Sequence, residues 1–277
     1  MDRLSLLLQR FAIQAGVFHV GRICGVHHFE RDARCGHVHL IKRGPARLSG
    51  GTQGGQLIEE PTLVFMPRPE AHQLITGEHE GADVVCANIR FGVGGANPIT
   101  DSLPSVVQVR LADLPGSTAL LALLDEEAFT PSSGRQAALD RLCEVLLIRL
   151  VRHCMERGLT QGGTLAGLAD PRLSKALAAM HEHPEVDWGL ESMAAQAGMS
   201  RARFAVRFRE VVGCTPGEHL AAWRVTVAQG LLRAGRPMRL AALDVGYGSA
   251  SAFTRAFSRH VGLSPSAWLK RHRAQAG

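Results

Sequence analysis

Gly246-Tyr247-Gly248-Ser249-Ala250-Ser251-Ala252-Phe253-Thr254-Arg255-Ala256-Phe257 is the stretch on which the reading of this chain turns. Ser249 stands where a helix would begin, and its hydroxyl can accept a backbone N–H that has no partner in the first turn. Phe253, Phe257 and Val261 recur every four residues and give one apolar stripe. Ser251, Thr254, Arg255 and Arg259 fall away from that stripe. Upstream, residues 239–245 read as a short helix that ends at Gly246. A short helix, a glycine-containing turn and a second helix with a polar, basic outer face make a helix-turn-helix.

The pattern occurs twice. Met193 to Phe208 repeats it, with Ala194 and Gly198 standing 48 residues before Ala242 and Gly246. From the serine onward the offset is 49, as in Ser200/Ser249, Phe204/Phe253, Phe208/Phe257, Gly213/Gly262 and Pro216/Pro265. Two units in fixed register are a far stronger signal than one. Between them, 216–234 reads as one long helix. At 1.5 Å rise per residue it spans roughly 28 Å, close to the ~34 Å turn of B-DNA, so both units can meet one face of a duplex.

Ala242, Gly246, Tyr247, Ser249, Phe253, Phe257, Gly262 and Pro265 resemble the hallmark of the AraC/XylS family of transcription regulators. The resemblance covers about residues 170–272. It implies an all-α C-terminal DNA-binding domain of two helix-turn-helix motifs joined by a long helix. It also implies promoter DNA and RNA polymerase as partners, with activation commoner than repression. Asp170-Pro171 is expected to open the first helix of that domain, proline standing where a missing N–H costs least.

Charge follows the same division. The 277 residues carry a formal net charge of +6. From Asp170 onward there are 15 Lys/Arg against 8 Asp/Glu, and before it 16 against 17, so the whole positive excess lies with the two motifs. With 45% apolar residues the chain can bury a substantial core, and its length suits two domains. The N-terminus shows no secretion signal and no apolar run approaches the ~18–20 residues of a membrane span. The expected location is cytoplasmic. Six cysteines without a Cys-x-x-Cys pair make no zinc-finger framework.

Ahead of the motifs, residues 4–11 suggest a short amphipathic helix. Strand-like segments follow at 17–24, 37–41, 63–66, 73–76 and 84–91. Gly44-Pro45, Gly50-Gly51, Gly54-Gly55 and Pro67-Arg68-Pro69 punctuate them. Many short strands with glycine turns suggest a barrel or sandwich. Pro67-x-Pro69-x-x-His72 is similar to the second half of the cupin signature, although Glu59-Glu60-Pro61 replaces the usual Gly-Asp turn. Helices are expected at 117–129 and 136–157. The second places Leu139, Cys143, Leu146, Leu147, Leu150 and Cys154 near one face, to pack on the barrel or to pair two protomers. Residues 158–169, with four glycines, read as a linker. The expected fold is therefore α+β: a cupin-like sensor and dimerisation domain over 1–157, a linker, and the DNA-binding domain over 170–277.

On the first reading helix, family alignment places base contacts at Ala202, Ala205 and Val206. Small apolar side chains touch a thymine methyl but cannot hydrogen-bond a base edge. Arg201, Arg203 and Arg209 are then candidates for phosphates and DNA shape, or are simply solvated. The second helix offers Ala250, Ser251, Thr254 and Arg255, with Arg259 one turn on. Arg255 is either a bidentate guanine reader or a phosphate clamp, and Ser249 is a cap and phosphate candidate.

In the N-terminal half, His37 and His39 share one strand face and His72 can approach them. They suit a metal or the polar lining of an effector pocket, and no cofactor is expected. Cys24 and Cys86 are the main thiol-switch candidates, with Cys35 beside them; the alternative is that each is a small buried hydrophobe. Two function classes stay open. One is a homodimeric regulator answering an unknown small molecule or oxidant. The other is a metal-dependent cupin enzyme with a DNA-binding tail, for which the ligand set is incomplete.

Overall fold

The computed structural model describes residues 2–32, 35–50, 55–92 and 97–276. Helix α1 (Arg3–Arg10) precedes nine strands: β1 (Ile13–Ile23), β2 (Val26–Phe29), β3 (Gly36–Arg43), β4 (Ala46–Gly50), β5 (Gln56–Ile58), β6 (Thr62–Met66), β7 (His72–Thr76), β8 (Ala82–Phe91) and β9 (Val107–Arg110). The helices α2 (Ser117–Phe129) and α3 (Arg135–Glu156) follow, then α4 (Gly163–Ala169), α5 (Leu173–Glu182), α6 (Leu190–Gln196) and α7 (Arg201–Val212). The chain ends with α8 (Pro216–Arg233), α9 (Met238–Asp244), α10 (Ala250–Val261) and α11 (Pro265–Ala276). The expected α+β class is found. Of the glycine turns, positions 51–54 lie outside the described residues.

Two compact units emerge, and they are not consecutive in sequence. The first takes the described residues of 12–92 and 103–161; the second takes those of 1–11, 93–102 and 162–277.

The first unit is built on two antiparallel sheets, ordered β1-β8-β3-β6-β9 and β2-β7-β4-β5. Ile23, Ile41, Leu48, Ile58, Val64, Met66, Leu74 and Val84 fill one core drawn from both sheets. β1 is an edge strand, and an edge leaves N–H groups unpaired. Two carboxylates on α3 take them up: the Val17 N–H donates to Asp140 Oδ1 at 2.8 Å and the Ala15 N–H to Glu144 Oε1 at 3.2 Å. The α3 face expected to be apolar is buried, from Leu139 through Cys143, Leu146, Leu147 and Leu150 to Cys154.

The second unit is wholly helical and corrects two expectations. Residues 163–169 are not linker but α4, with Leu165 and Leu168 buried. The Leu165 N–H donates to Ser102 Oγ at 3.1 Å. A Cβ on Gly167 would come within 2.4 Å of Leu177 Cδ1 and 2.9 Å of Val212 Cγ2. That glycine serves close packing, not freedom. Likewise α1 belongs to the helical unit, with Leu7 and Phe11 fully buried and the Phe11 ring 6.0 Å from that of Trp223. Asp170-Pro171 opens the next helix as expected: Asp170 Oδ1 accepts from the N–H groups of Arg172 and Leu173, its carbonyl accepts the Ser174 N–H at 3.0 Å, and the regular helix runs from Leu173. At the head of α8, Thr215 and Glu218 form a reciprocal capping box with Pro216 at the first position.

Candidate nucleic-acid interface

The two helix-turn-helix units, α6–α7 and α9–α10, repeat one another in the backbone bonds of their turns and in their aromatic packing. Gly198 and Gly246 both take left-handed φ, +63° and +84°, in their turns. The next N–H groups reach back to equivalent carbonyls, Met199 N to Ala194 O at 3.0 Å and Tyr247 N to Ala242 O at 2.9 Å. Phe204 and Phe208 sit 5.5 Å apart at 59°, Phe253 and Phe257 5.6 Å apart at 64°, all four fully buried. Gly213 and Gly262 end the reading helices in the left-handed region, at +85° and +76°. The apolar stripe thus fixes which side of each helix remains for a partner.

On α7 that side carries Arg201, Ala202, Arg203, Val206 and Arg209, all exposed, with Ala205 half-buried. Val206 is 59% exposed, which leaves its methyl groups open to an apolar contact. Arg201 lies 4.0 Å from Glu191. Arg207, which the sequence pattern did not single out, is also on this side. Its guanidinium donates twice to Asp170 Oδ2, at 3.1 and 2.9 Å, and so anchors α7 to the start of α5. Arg203 has no ion pair or hydrogen bond among the described residues.

On α10 the equivalent side carries Ser249, Ser251, Arg255 and Arg259, exposed, with Ala250 and Thr254 half-buried. Ser249 is the expected cap, accepting the Ala252 N–H at 3.2 Å, whereas Ser200 makes no side-chain cap bond. The Thr254 hydroxyl donates to Ala250 O at 2.8 Å, which leaves its methyl and lone pairs outward. Arg255 has no ion pair or hydrogen bond among the described residues, so its fork is free for a guanine edge or a phosphate.

The barrel histidines also come together. His39 Nε2 lies 2.6 Å from His72 Nε2, His39 Nδ1 lies 3.2 Å from Cys86 Sγ, and His72 Nδ1 lies 3.0 Å from Glu70 O. A carbonyl only accepts, so His72 carries its proton on Nδ1 and offers a lone pair at Nε2. His39 must then donate from Nε2 and accept at Nδ1 from the Cys86 thiol. Burial, followed by the neighbouring imidazoles, holds His39 well below the usual histidine value. Burial also lowers His72, against a pull upward from the Glu70 carbonyl, and lowers His37 together with His72. The result is a directed chain of neutral groups, Cys86 to His39 to His72 to a backbone carbonyl. Phe29 stacks on His72 at 4.9 Å, and His37 leaves a buried Nδ1 without a partner. Among the described residues no group of three or more His, Cys, Asp or Glu is arranged to hold a metal. The two facing Nε2 atoms are bonded to each other instead.

The thiol pairing fails on register. Ile23 pairs with Ala82 and His19 with Cys86, so Cys24, one residue beyond Ile23, lies more than about 13 Å from Cys86 along the ladder at ~3.3 Å per residue. A disulfide needs Cα atoms within about 7 Å. Cys24 is exposed and follows β1 rather than lying in it, while Cys86 is buried, its thiol pushed up to about 12 by desolvation. Cys35 is held to Asp32 at 3.2 Å, and burial with that carboxylate raises it to about 11.

A family model described as Cupin matches residues 2–156, and one described as Helix-turn-helix domain matches residues 193–271. An uncharacterized HTH-type transcriptional regulator of Haemophilus influenzae is 31% identical over 268 residues, covering 88% of this chain and 89% of that protein. A putative AraC-like transcription regulator of Streptomyces lividans is 32% identical, covering 75% of this chain and 69% of its own length. The RCS-specific HTH-type transcriptional activator RclR of Escherichia coli is 31% identical, covering 86% and 85%. This chain belongs to the AraC family of transcription regulators. As an AraC-family regulator with a cupin-like N-terminal domain it is a DNA-binding protein, and α7 and α10 are the second helices of its two helix-turn-helix units. No helix among the described residues is long and apolar enough to cross a membrane.

Proposed function

We propose that this AraC-family protein binds promoter DNA with the outer faces of α7 and α10, acts in the cytoplasm as a homodimer, and activates transcription by meeting RNA polymerase there. It is a regulator and not an enzyme. The observation that carries the DNA-binding site is the free guanidinium of Arg255 on an exposed helix face whose opposite side is locked by Phe253 and Phe257. A regulator needs an input, and the neutral thiol–imidazole chain in the barrel is the best-built candidate. The E. coli relative is named RCS-specific, which favours an oxidant over a metabolite.

For a peroxide-class oxidant the chemistry balances. The Cys86 sulfur attacks one oxygen, an S–O bond forms and the O–O bond breaks. The thiol proton passes to His39 Nδ1 while the His39 Nε2 proton passes to His72 Nε2, and the departing hydroxide takes that proton from the His72 imidazolium and leaves as water, restoring a neutral imidazole. Transcription from the target promoter, read with and without mild oxidant, separates the thiols. Cys86→Ala should abolish the response and Cys24→Ala should leave it. An unchanged response in Cys86→Ala removes the thiol input. The cluster of His37, His39 and His72 would then remain as a small-molecule site. Binding of the full chain to the DNA flanking its own gene tests the main reading. Affinity should fall steeply with salt as counterions are released, and salt-independent or absent binding refutes it.

A further inference from the structure

One side chain on α8 joins the connection that leads into the first helix-turn-helix unit to the turn of the second. The Arg224 guanidinium donates from Nε to Pro184 O at 2.7 Å and from Nη2 to Val186 O at 2.8 Å, both on the connection from α5 into α6. The same group lies 5.6 Å over the ring of Tyr247, in the turn of the second unit. Gly246, at φ +84°, completes the contact. A Cβ there would come 2.7 Å from Glu185 O and 2.8 Å from Arg224 Nη2. Segment 184–186 and turn 246–247 are therefore seated together through a single fork.

The magnitude of the geometry shows why such a fork matters. α8 has 18 residues and is roughly 27 Å long at 1.5 Å per residue. A tilt of about 10° at one end moves the other by roughly 5 Å, more than the 3.4 Å between base pairs. A helix alone does not hold two readers in step with a DNA lattice that fine. A second tie between the units is required, and Arg224 is placed to provide it.

We infer that Arg224 is the positioning residue that fixes the separation at which the two reading helices accept their half-sites. The inference rests on the reading of α7 and α10 as the DNA-contacting elements. Arginine suits the task because its planar fork reaches two carbonyls while its face meets an aromatic ring, which a lysine ammonium cannot do at once. Burial disfavours the charge, and Tyr247, Asp187 and Glu185 act in the opposite direction. The group is half-buried and held by two carbonyls and the Tyr247 ring.

The test uses the full chain and a randomised duplex library, with the bound DNA sequenced to give the half-site motifs and the distances between them. The wild type should return two motifs at one separation, and one inserted base pair should weaken binding about tenfold or more, as one reader loses its contacts. Arg224→Met should broaden the separations by a base pair either way and reduce that penalty below about threefold, with affinity for a lone half-site within about twofold of wild type. Arg224→Lys should lie between the two. An unchanged penalty in both variants overturns the inference, even where thermal unfolding shows them less stable, because stability alone does not alter spacing. If Arg224→Met does not fold, Arg224→Lys and Tyr247→Leu carry the same readout. A wild type that returns one motif without a partner sinks the inference but leaves the DNA-binding reading intact. A wild type that returns no motif sinks that reading itself.

Discussion

α7 and α10 share a backbone and differ in what they show to a partner. Their buried phenylalanine pairs agree within 0.1 Å in separation and 5° in tilt. Yet one presents Ala202, Ala205 and Val206 between arginines, and the other Ser251, Thr254 and Arg255. The duplicated stripe and glycines preserve the scaffold, so the outer faces are free to diverge. On the proposed reading, α7 meets methyl groups and phosphates and α10 makes base-edge hydrogen bonds.

The scaffold half of that statement breaks most visibly. Phe204→Ala and Phe253→Ala should each cost about 3–5 kcal/mol in denaturant unfolding, and by similar amounts, if the two units are equivalent. A large inequality would show that one unit leans on neighbours the other lacks. Next in size is Arg255→Ala, expected to lose ~1–3 kcal/mol of discrimination at one base pair. Arg209→Ala should instead weaken binding to all sequences alike. Equal loss on specific and random DNA would reassign Arg255 to a phosphate.

The caps sharpen the contrast at about 1 kcal/mol. Ser249→Ala should cost roughly that much stability, and Ser200→Ala only a few tenths, because only Ser249 makes its bond. Smaller still is the methyl contact. Deoxyuridine in place of thymine under α7 should cost up to ~0.8 kcal/mol, the burial of one methyl, and nothing measurable in Val206→Ala. The last effect is complete at neutrality and vanishes in acid. Burial opposes the charge on Asp170, but the Leu173 and Arg172 N–H groups and Arg207 hold it below the usual carboxylate value. A depressed folded value means that this contribution is complete above the unfolded pKa of ~3.9 and is lost as pH falls through the folded one. Unfolding of Asp170→Asn should therefore differ from wild type at pH 7 and converge with it in acid, while α10, with no such tie, shows no matching term.

Much of this was legible in the chain. Four-residue periodicity with glycine and serine punctuation marks α7 and α10 over their full length, and α2 and α3 to within a residue. The strands β2, β5 and β9 were not visible, since each is a short edge strand with little alternation to read. β4 was hidden for a similar reason, being five residues that begin just after Gly44-Pro45. The helix α4 was hidden by Gly163 and Gly167, residues that suggest slack in a sequence and here permit contact. At the barrel site the histidines were found, because residues two apart share a strand face. The failure of Cys24 to reach Cys86 was not, since spacing along a chain does not reveal register.

The place of α1 has a consequence for biosynthesis. Residues 3–10 leave the ribosome early, but the helices they pack with lie beyond residue 162. At about 5–20 residues per second, Leu7 and Phe11 wait roughly 8–30 s for their partners while the sheets form in between. During that interval an amphipathic, eight-residue helix stands with its apolar face uncovered on the nascent chain, a natural client for a chaperone. The helical unit is complete only after the segment beyond residue 162 has emerged.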